Sequence, residues 1–343
     1  MKGTVVMTCL MIDVASLSLD SNDIKRISHP LVGGVILFSR NYENKKQLKS
    51  LVKSIRKIKH NILIAVDHEG GRVQRFRDDF TQLPAMALLG SLFDKDPDEA
   101  TRIAKLCGWL IAKELGSCDI DFSFTPVLDV NYESSSVIGN RAFHKEIQPT
   151  IHLANSLTEG LGQAGMQGVG KHFPGHGFIK ADTHLEVGED ERAFEVIKES
   201  DMLVFKALIE NGLKGIMPSH VIYSLCDDKP SGLSHFWLQD QLRKSLGFNG
   251  AIFSDDMSMQ AAVFTEKDVT KRVLKALQAG CDMVLVCNAG EDVDIVLTHL
   301  DWPVSEKSQC RIKAMGLNKK KNEQTQYMRL TTTEAGKLIL KFS

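Results

Sequence analysis

The stretch GGVILFSRNYENKKQLKSLVKSIRKIKHNILIAVD, residues 33–67, contains one complete strand–helix–strand unit. Two short apolar runs, residues 33–38 and 62–66, flank a segment in which apolar residues recur every three or four positions and lysines fill the rest. Short apolar runs of this kind are typical of buried strands, and the spacing between them predicts an amphipathic helix over residues 43–60. Parallel neighbours need a crossover of this kind, so the alternation implies a parallel sheet.

The same alternation continues along the chain. Further strands are predicted over residues 4–12, 120–130, 166–171, 215–217, 251–254 and 283–287, and further helices over residues 96–116, 150–164, 191–211, 234–246 and 266–279. Gly212 and Gly280 follow two of these helices as terminating residues. Eight strands in a chain of 343 residues favour a single α/β domain, a (β/α)8 barrel of TIM type, over an open sheet. We assign residues 1–300 to the barrel and residues 301–343 to a C-terminal tail or terminal helix of the same domain.

Composition excludes several classes of partner. The chain has 42 basic and 43 acidic residues, a net charge of -1 and no global positive field that would attract nucleic acid or acidic lipid. Apolar runs are all shorter than the roughly 20 residues that a membrane span needs. We therefore expect no nucleic-acid or membrane partner. As separate expectations, we predict a monomer and a small-molecule substrate.

The cysteines and the N-terminus bear on location. There are 7 cysteines and no CxxC pair, which argues against a disulfide framework or a zinc knuckle and favours a reducing cytosol. An alternative is a cleaved signal peptide, with Lys2 before an apolar run and a cleavage site near Ala15. Because the same run is needed as the first barrel strand, ending at Asp13, we predict a cytoplasmic protein.

A polar side chain lies at or near the end of each of the eight predicted strands. These residues are Asp13, Arg40, Asp67, Asp129, His172, His220, Asp255 and Asn288. In a barrel the carboxyl ends of the strands meet at one mouth, where active sites of this fold lie. One polar strand end is often only a loop cap, but several carboxylates and histidines together indicate a functional site.

The segment DHEGGRVQRF, residues 67–76, suits a tight loop around a polar ligand, because two glycines separate the carboxylates from the arginines. For Glu69 and Arg72 a surface salt bridge beside a glycine turn is the simpler expectation.

The segment KHFPGHG, residues 171–177, is followed by Asp182 and His184, and it allows two interpretations. One is a metal site formed by His172, His176 and His184. The other is a mobile glycine-rich loop that carries an Asp-x-His pair, in which the carboxylate makes the imidazole a better proton shuttle.

The segment FSDDMSM, residues 253–259, places two adjacent carboxylates at a strand end. Neighbouring side chains point in different directions, so one of Asp255 and Asp256 can face the mouth as a nucleophile or electrostatic stabiliser. We expect at least one of the two to cap the following helix.

Together these motifs resemble glycoside hydrolase family 3, in particular its single-domain bacterial β-N-acetylglucosaminidases. The matching stretches are PLVGGVILFSRNY (30–42), residues 67–76, FTPVLDV (124–130), IGNRAF (138–143), KHFPGHG with Asp182–His184, residues 216–223, residues 253–259 and GCDMVLVCN (280–288). His68 stands where the family commonly has Gln, Met257 stands where it has Leu, and little resemblance continues beyond residue 288.

The resemblance implies a retaining enzyme that removes terminal non-reducing β-linked N-acetylglucosamine from cytosolic peptidoglycan fragments in cell-wall recycling. The family nucleophile falls on Asp255, and its acid/base falls on His184 with Asp182 as partner. The sugar-binding roles fall on Asp67, Arg75, Arg141, Lys171 and His172. No metal or cofactor is implied. The alternatives are a metal-dependent hydrolase on the same barrel and a sugar-binding barrel that has lost catalysis.

Overall fold

Eight short parallel strands form the centre of the molecule. The computed structural model describes residues 8–179, 188–303, 305–324 and 332–339. The strands are β1 (Leu10–Ile12), β2 (Val32–Leu37), β3 (Leu63–Val66), β4 (Phe122–Ser123), β5 (Val169–Phe173), β6 (Gly215–Pro218), β7 (Ala251–Ile252) and β8 (Val284–Val286). Every residue in these strands is buried, as expected for a parallel sheet covered by helices.

The strands close into a ring. Strands β8, β1, β2, β3 and β4 pair in that order, and β5, β6 and β7 form a second set. At one seam Val127, just beyond β4, pairs with Lys171 of β5, and the Leu128 amide donates to the Lys171 carbonyl over 2.7 Å. At the other seam Phe253 pairs with Met283. The predicted (β/α)8 barrel is therefore confirmed.

One helix follows each strand on the outside of the ring. In chain order these helices are Ser21–Ser28, Lys45–Ile58, Pro97–Gly116, Ile147–Gln163, Asp201–Glu210, the π-helix Phe236–Ser245, Val269–Ala279 and Gly290–His299. Shorter helices, Met86–Phe93, Phe194–Lys198 and Gln260–Thr265, and the 3-10 turns Ser39–Asn41, Gly139–Arg141 and Ser231–Leu233 lie in the loops. A hairpin of His68–Gly70 and Val73–Gln74 follows β3 directly.

Two predicted helices differ from the structure. The predicted helix over residues 191–211 is two helices, because the backbone at Ser200 leaves the helical region at φ -124° and ψ -97°. The helix predicted from residue 266 begins at Val269, because the Asp268 side chain accepts a hydrogen bond from the Lys271 amide. Gly212 and Gly280 end their helices in the left-handed region as predicted, with φ of 89° and 125°.

The C-terminal segment contributes the helices Glu306–Lys313, Lys319–Gln324 and Thr332–Ile339. The side chain of Asn322 donates to the carbonyls of Ala112 and Ala164 over 2.7 and 2.9 Å, so this segment is attached to two outer helices of the barrel. The boundary at residue 300 stays a prediction. Across the residues that the structure describes, the helices are all too short or too polar to cross a membrane.

Candidate active site

A cavity of about 470 Å³ opens at the carboxyl ends of the strands. It is the place where a barrel of this type gathers side chains from several strands. Six of the predicted site residues line it, namely Asp67, Arg75, Arg141, Lys171, His172 and Asp255. The other two, Asp182 and His184, lie outside the described residues.

One wall of the cavity is a network of charged side chains. The Lys171 ammonium lies 2.8 Å from Asp67 Oδ1 and 2.6 Å from Glu69 Oε1. The Arg141 guanidinium binds both oxygens of Glu69 over 2.8 Å, and Arg75 reaches Asp67 over 3.4 Å. Three cations thus share two carboxylates, and we call these five residues the charged wall.

The charges of the wall hold one another in the ionised state. Burial alone would raise the pKa of Asp67 and of Glu69, but the neighbouring cations outweigh it, and both pKa values lie below the ordinary range. Burial would likewise lower the pKa of Lys171, and Asp67 and Glu69 raise it instead. The wall therefore presents fixed hydrogen-bond donors and acceptors to a polar ligand.

The expected surface salt bridge of Glu69 and Arg72 is wrong. Glu69 is only 2% exposed and binds Arg141 and Lys171, residues far from it in the chain. Arg72 is exposed, and its guanidinium donates to the backbone carbonyls of Ser136 and Val137. The hairpin after β3 carries Glu69 to the cavity that Asp67 also lines.

Asp129 is a site residue that the sequence analysis named only as a strand end. Its carboxylate is fully buried, and Oδ2 lies 2.7 Å from Nδ1 of His172. Oδ1 accepts the backbone amides of His172 and His176 over 3.2 and 2.7 Å. Burial would raise the pKa of Asp129, but attraction to His172 outweighs it and the pKa is lowered. Asp129 therefore fixes the ring of His172 at the cavity.

His176 lies next to His172, with 5.8 Å between ring centroids, and it also lines the cavity. Burial, and then the neighbouring His172, lower the pKa of His176 to about 4, so its imidazole is neutral at neutral pH.

Asp255 and Asp256 both line the cavity, but their carboxylates have different hydrogen-bond partners. Asp255 faces the cavity, and its Oδ1 accepts the Asp256 amide over 2.8 Å. The Asp256 carboxylate turns toward the next strand and accepts the amides of Ser258 and Cys287, each over 3.0 Å. Neither residue caps a helix, because the next helix begins at Gln260, so the expectation of an N-cap is wrong.

Asp256 makes the stability of the fold depend on pH. Burial raises the pKa of Asp256 from 3.8 to about 6, although its hydrogen bonds lower it. The folded state therefore binds this proton more tightly than the unfolded state, and the resulting stabilisation is lost as the pH rises from 3.8 to about 6. We expect Asp256→Asn, which cannot ionise, to become more stable relative to the natural protein at pH 8 than at pH 5. Urea unfolding at the two pH values measures this, and an equal difference at both would contradict it.

The metal interpretation lacks a placed third ligand. Among the described residues, His, Cys, Asp and Glu side chains form no group of three or more that could hold a metal ion. His184, which that interpretation also requires, lies outside those residues. All seven cysteines are free thiols.

A closed (β/α)8 barrel with a carboxylate and a wall of paired charges at its mouth defines a class of barrel enzymes that act on polar substrates. Comparison with known families identifies the enzyme family to which the chain belongs. Residues 8–313 match glycosyl hydrolase family 3 N terminal domain, and the chain belongs to that family. It is therefore a glycoside hydrolase.

Individual relatives are similar over almost the whole chain. A β-hexosaminidase of Methylobacillus flagellatus is 52% identical over 307 residues, which cover 89% of this chain and 88% of that protein. NagZ from Neisseria gonorrhoeae, solved in complex with N-trifluoroacetyl-D-glucosamine, is 38% identical with a TM-score of 0.91 and covers 98% of this chain and 97% of its own. A second structure of the same enzyme, in complex with zinc ion, has a TM-score of 0.90, 38% identity and 98% coverage of both chains.

Proposed function

We propose that the protein is a retaining β-N-acetylhexosaminidase that removes terminal non-reducing N-acetylglucosamine. One observation carries the proposal: Asp255 and the charged wall line the same cavity, which has the size of a small-ligand site. The β-hexosaminidase name of a relative at 52% identity supports the activity, and the amino sugar bound to the Neisseria enzyme supports the substrate class.

The charged wall supplies what recognition of a sugar requires. Each hydroxyl group can donate one hydrogen bond and accept others, so a site for several hydroxyls needs both donors and acceptors. Lys171, Arg141 and Arg75 donate, Asp67 accepts, and His172 offers the ring nitrogen that Asp129 does not bind. We assign these residues to the hydroxyl groups of the non-reducing sugar.

Asp255 is assigned as the nucleophile. Its carboxylate oxygen forms a bond to the anomeric carbon while the bond from that carbon to the leaving oxygen breaks, which gives a covalent glycosyl-enzyme. His184, held by Asp182, gives a proton to the leaving oxygen. It then takes a proton from the water that attacks the anomeric carbon and releases Asp255. A histidine suits both steps because its unperturbed pKa is about 6.5.

The direct test is release of nitrophenol from 4-nitrophenyl N-acetyl-β-D-glucosaminide, with the β-glucoside as the control. Turnover of the first sugar well above the second supports the proposal. No turnover of either would leave a barrel that binds sugars without cleaving them.

We further propose that the natural substrates are peptidoglycan fragments in which N-acetylglucosamine is linked to anhydro-N-acetylmuramic acid, with or without peptides. Such fragments are recycled in the cytoplasm, where we place the protein. A signal cleavage near Ala15 would remove β1, which pairs with both β2 and β8. We also propose a monomer, since one chain supplies both Asp255 and the charged wall.

Activity is expected to need no metal ion. Two carboxylates and a histidine suffice for the proposed mechanism, and Asp129 already binds the His172 nitrogen on its side of the ring. We expect full nitrophenol release after prolonged dialysis against a chelator. Strong inhibition that added zinc reverses would instead support the metal-dependent alternative.

A further inference from the structure

Glu69 occupies an unusual place for a carboxylate in a sugar site. It lines the cavity, yet only 2% of its side chain is exposed, and both of its oxygens are already bound by cations. Oε1 accepts from Lys171 over 2.6 Å and from Arg141 Nη2 over 2.8 Å, while Oε2 accepts from Arg141 Nε over 2.8 Å. Its oxygens are therefore engaged away from any ligand.

The two cations would repel each other without this carboxylate. Lys171 and Arg141 both approach the same oxygen, and Lys171 is only 3% exposed, so water screens the pair poorly. Two buried positive charges at this separation stay in place only where a negative charge lies between them. Asp67 binds Lys171 and attracts Arg141 through its charge. Among the described residues, however, only Glu69 forms an ion pair with both cations.

The bonds to Glu69 also decide which donors remain for a ligand. The Lys171 ammonium has three donors, of which Asp67 and Glu69 take two. Arg141 has five, of which Glu69 takes two and the Val137 carbonyl takes one over 3.3 Å. Within the described part of the chain, one donor of Lys171 and two of Arg141 are left at the cavity.

We propose that Glu69 is a positioning residue, which holds Lys171 and Arg141 so that their remaining donors meet the hydroxyl groups of the non-reducing sugar. This inference rests on the proposed function. Glu69 itself touches no substrate atom and takes no proton. Its effect is on the binding of the sugar, in the ground state and in the transition state alike.

The test variant is Glu69→Gln, with the same shape and no charge. Its amide presents one oxygen and one NH2 group, so a donor now faces either the Lys171 ammonium or the Arg141 guanidinium. Misplacing donors that bind the sugar from charged groups weakens binding by about one to two orders of magnitude. We therefore expect KM for 4-nitrophenyl N-acetyl-β-glucosaminide to rise about 10- to 100-fold. We expect kcat to change less than KM.

Asp121→Asn is the matched control. Asp121 is also a buried carboxylate, 5% exposed, that binds Arg56 over 2.9 Å and the Ile64 amide over 2.8 Å. It immediately precedes β4, at the opposite end of the barrel from the cavity. A general loss of stability would affect both variants, so the KM of Asp121→Asn is expected to stay within about twofold of the natural protein.

Deoxy substrates separate positioning from a merely structural role. The natural protein should discriminate against nitrophenyl glycosides that lack the 3-, 4- or 6-hydroxyl group, at least at the hydroxyls that the wall contacts. Glu69→Gln should lose about 10-fold or more of that discrimination, and Asp121→Asn should keep it. If Glu69→Gln does not fold, Glu69→Asp replaces it, because its shorter carboxylate cannot reach both cations.

The outcomes are distinguishable. Unchanged KM and unchanged discrimination in a folded Glu69 variant would overturn the positioning role while leaving the proposed function intact. A natural protein that releases no nitrophenol would overturn the proposed function, and this inference with it.

Discussion

Asp255→Asn is expected to abolish nitrophenol release, with a fall in kcat of about 10⁴- to 10⁶-fold, as is typical when an enzyme loses its nucleophile. The amide has the size of the carboxylate and can still accept the Asp256 amide hydrogen, so the fold should be kept. What is lost is the negative oxygen that attacks the anomeric carbon. Initial rates on the nitrophenyl sugar, with unfolding curves of the purified variant, measure both effects.

A 2-fluoro sugar trap identifies the nucleophile directly. The fluorine slows the second step, so the glycosyl-enzyme accumulates and can be located by mass spectrometry of peptides. We expect the label on Asp255. Asp256 is the internal control: it also lines the cavity, but its carboxylate is engaged by the amides of Ser258 and Cys287. A label on Asp256, or an active enzyme that is never labelled, would show the assignment to be wrong.

The barrel was predictable because local pattern and global fold agree. Each strand is a short apolar run and most of the main helices have one apolar face, so the pattern located eight strands and six of the eight outer helices. The helices Ser21–Ser28 and Gly290–His299 were missed. Of the two errors in predicted helices, one falls at a local N-cap, Asp268, and the other falls where a side-chain contact overrides the pattern. Apolar periodicity runs through Ser200, yet the helix breaks there, and the next residue, Asp201, is buried against Arg192 over 2.9 Å. No local signal reports that contact.

Of the candidate site, the sequence pattern predicted only the residues that lie at the carboxyl ends of strands. Polar residues after the strands identified the mouth, and the family resemblance supplied the assigned roles. Glu69 was missed because its partners, Arg141 and Lys171, are 72 and 102 residues away. Asp129 and His172 were both named as strand ends, but their contact depends on the seam between β4 and β5. Pairings of this kind are set by the closed ring.

His184→Ala is expected to lower turnover by about 10²- to 10⁴-fold on a sugar with a poor leaving group, the usual contribution of general acid–base catalysis. Asp182 and His184 lie outside the described residues, so this expectation rests on the Asp-x-His motif and the family resemblance. Asp182→Asn should reduce the rate in the same way but less far, because it only orients and stabilises the imidazole. The double variant should be little worse than His184→Ala, since the two residues act as one unit.

The leaving group distinguishes a proton donor from a binding residue. A nitrophenolate leaves with little help from a proton, so His184→Ala should form the glycosyl-enzyme nearly normally from the nitrophenyl sugar. Deglycosylation should then limit the rate, because no base activates the water. Azide, which needs no deprotonation, should restore turnover and give a glycosyl azide. If His184→Ala slowed substrates with poor and with good leaving groups equally, and azide had no effect, His184 would be a binding residue and not the proton donor. His172 would then be the next candidate donor, since Asp129 already fixes its ring at the cavity.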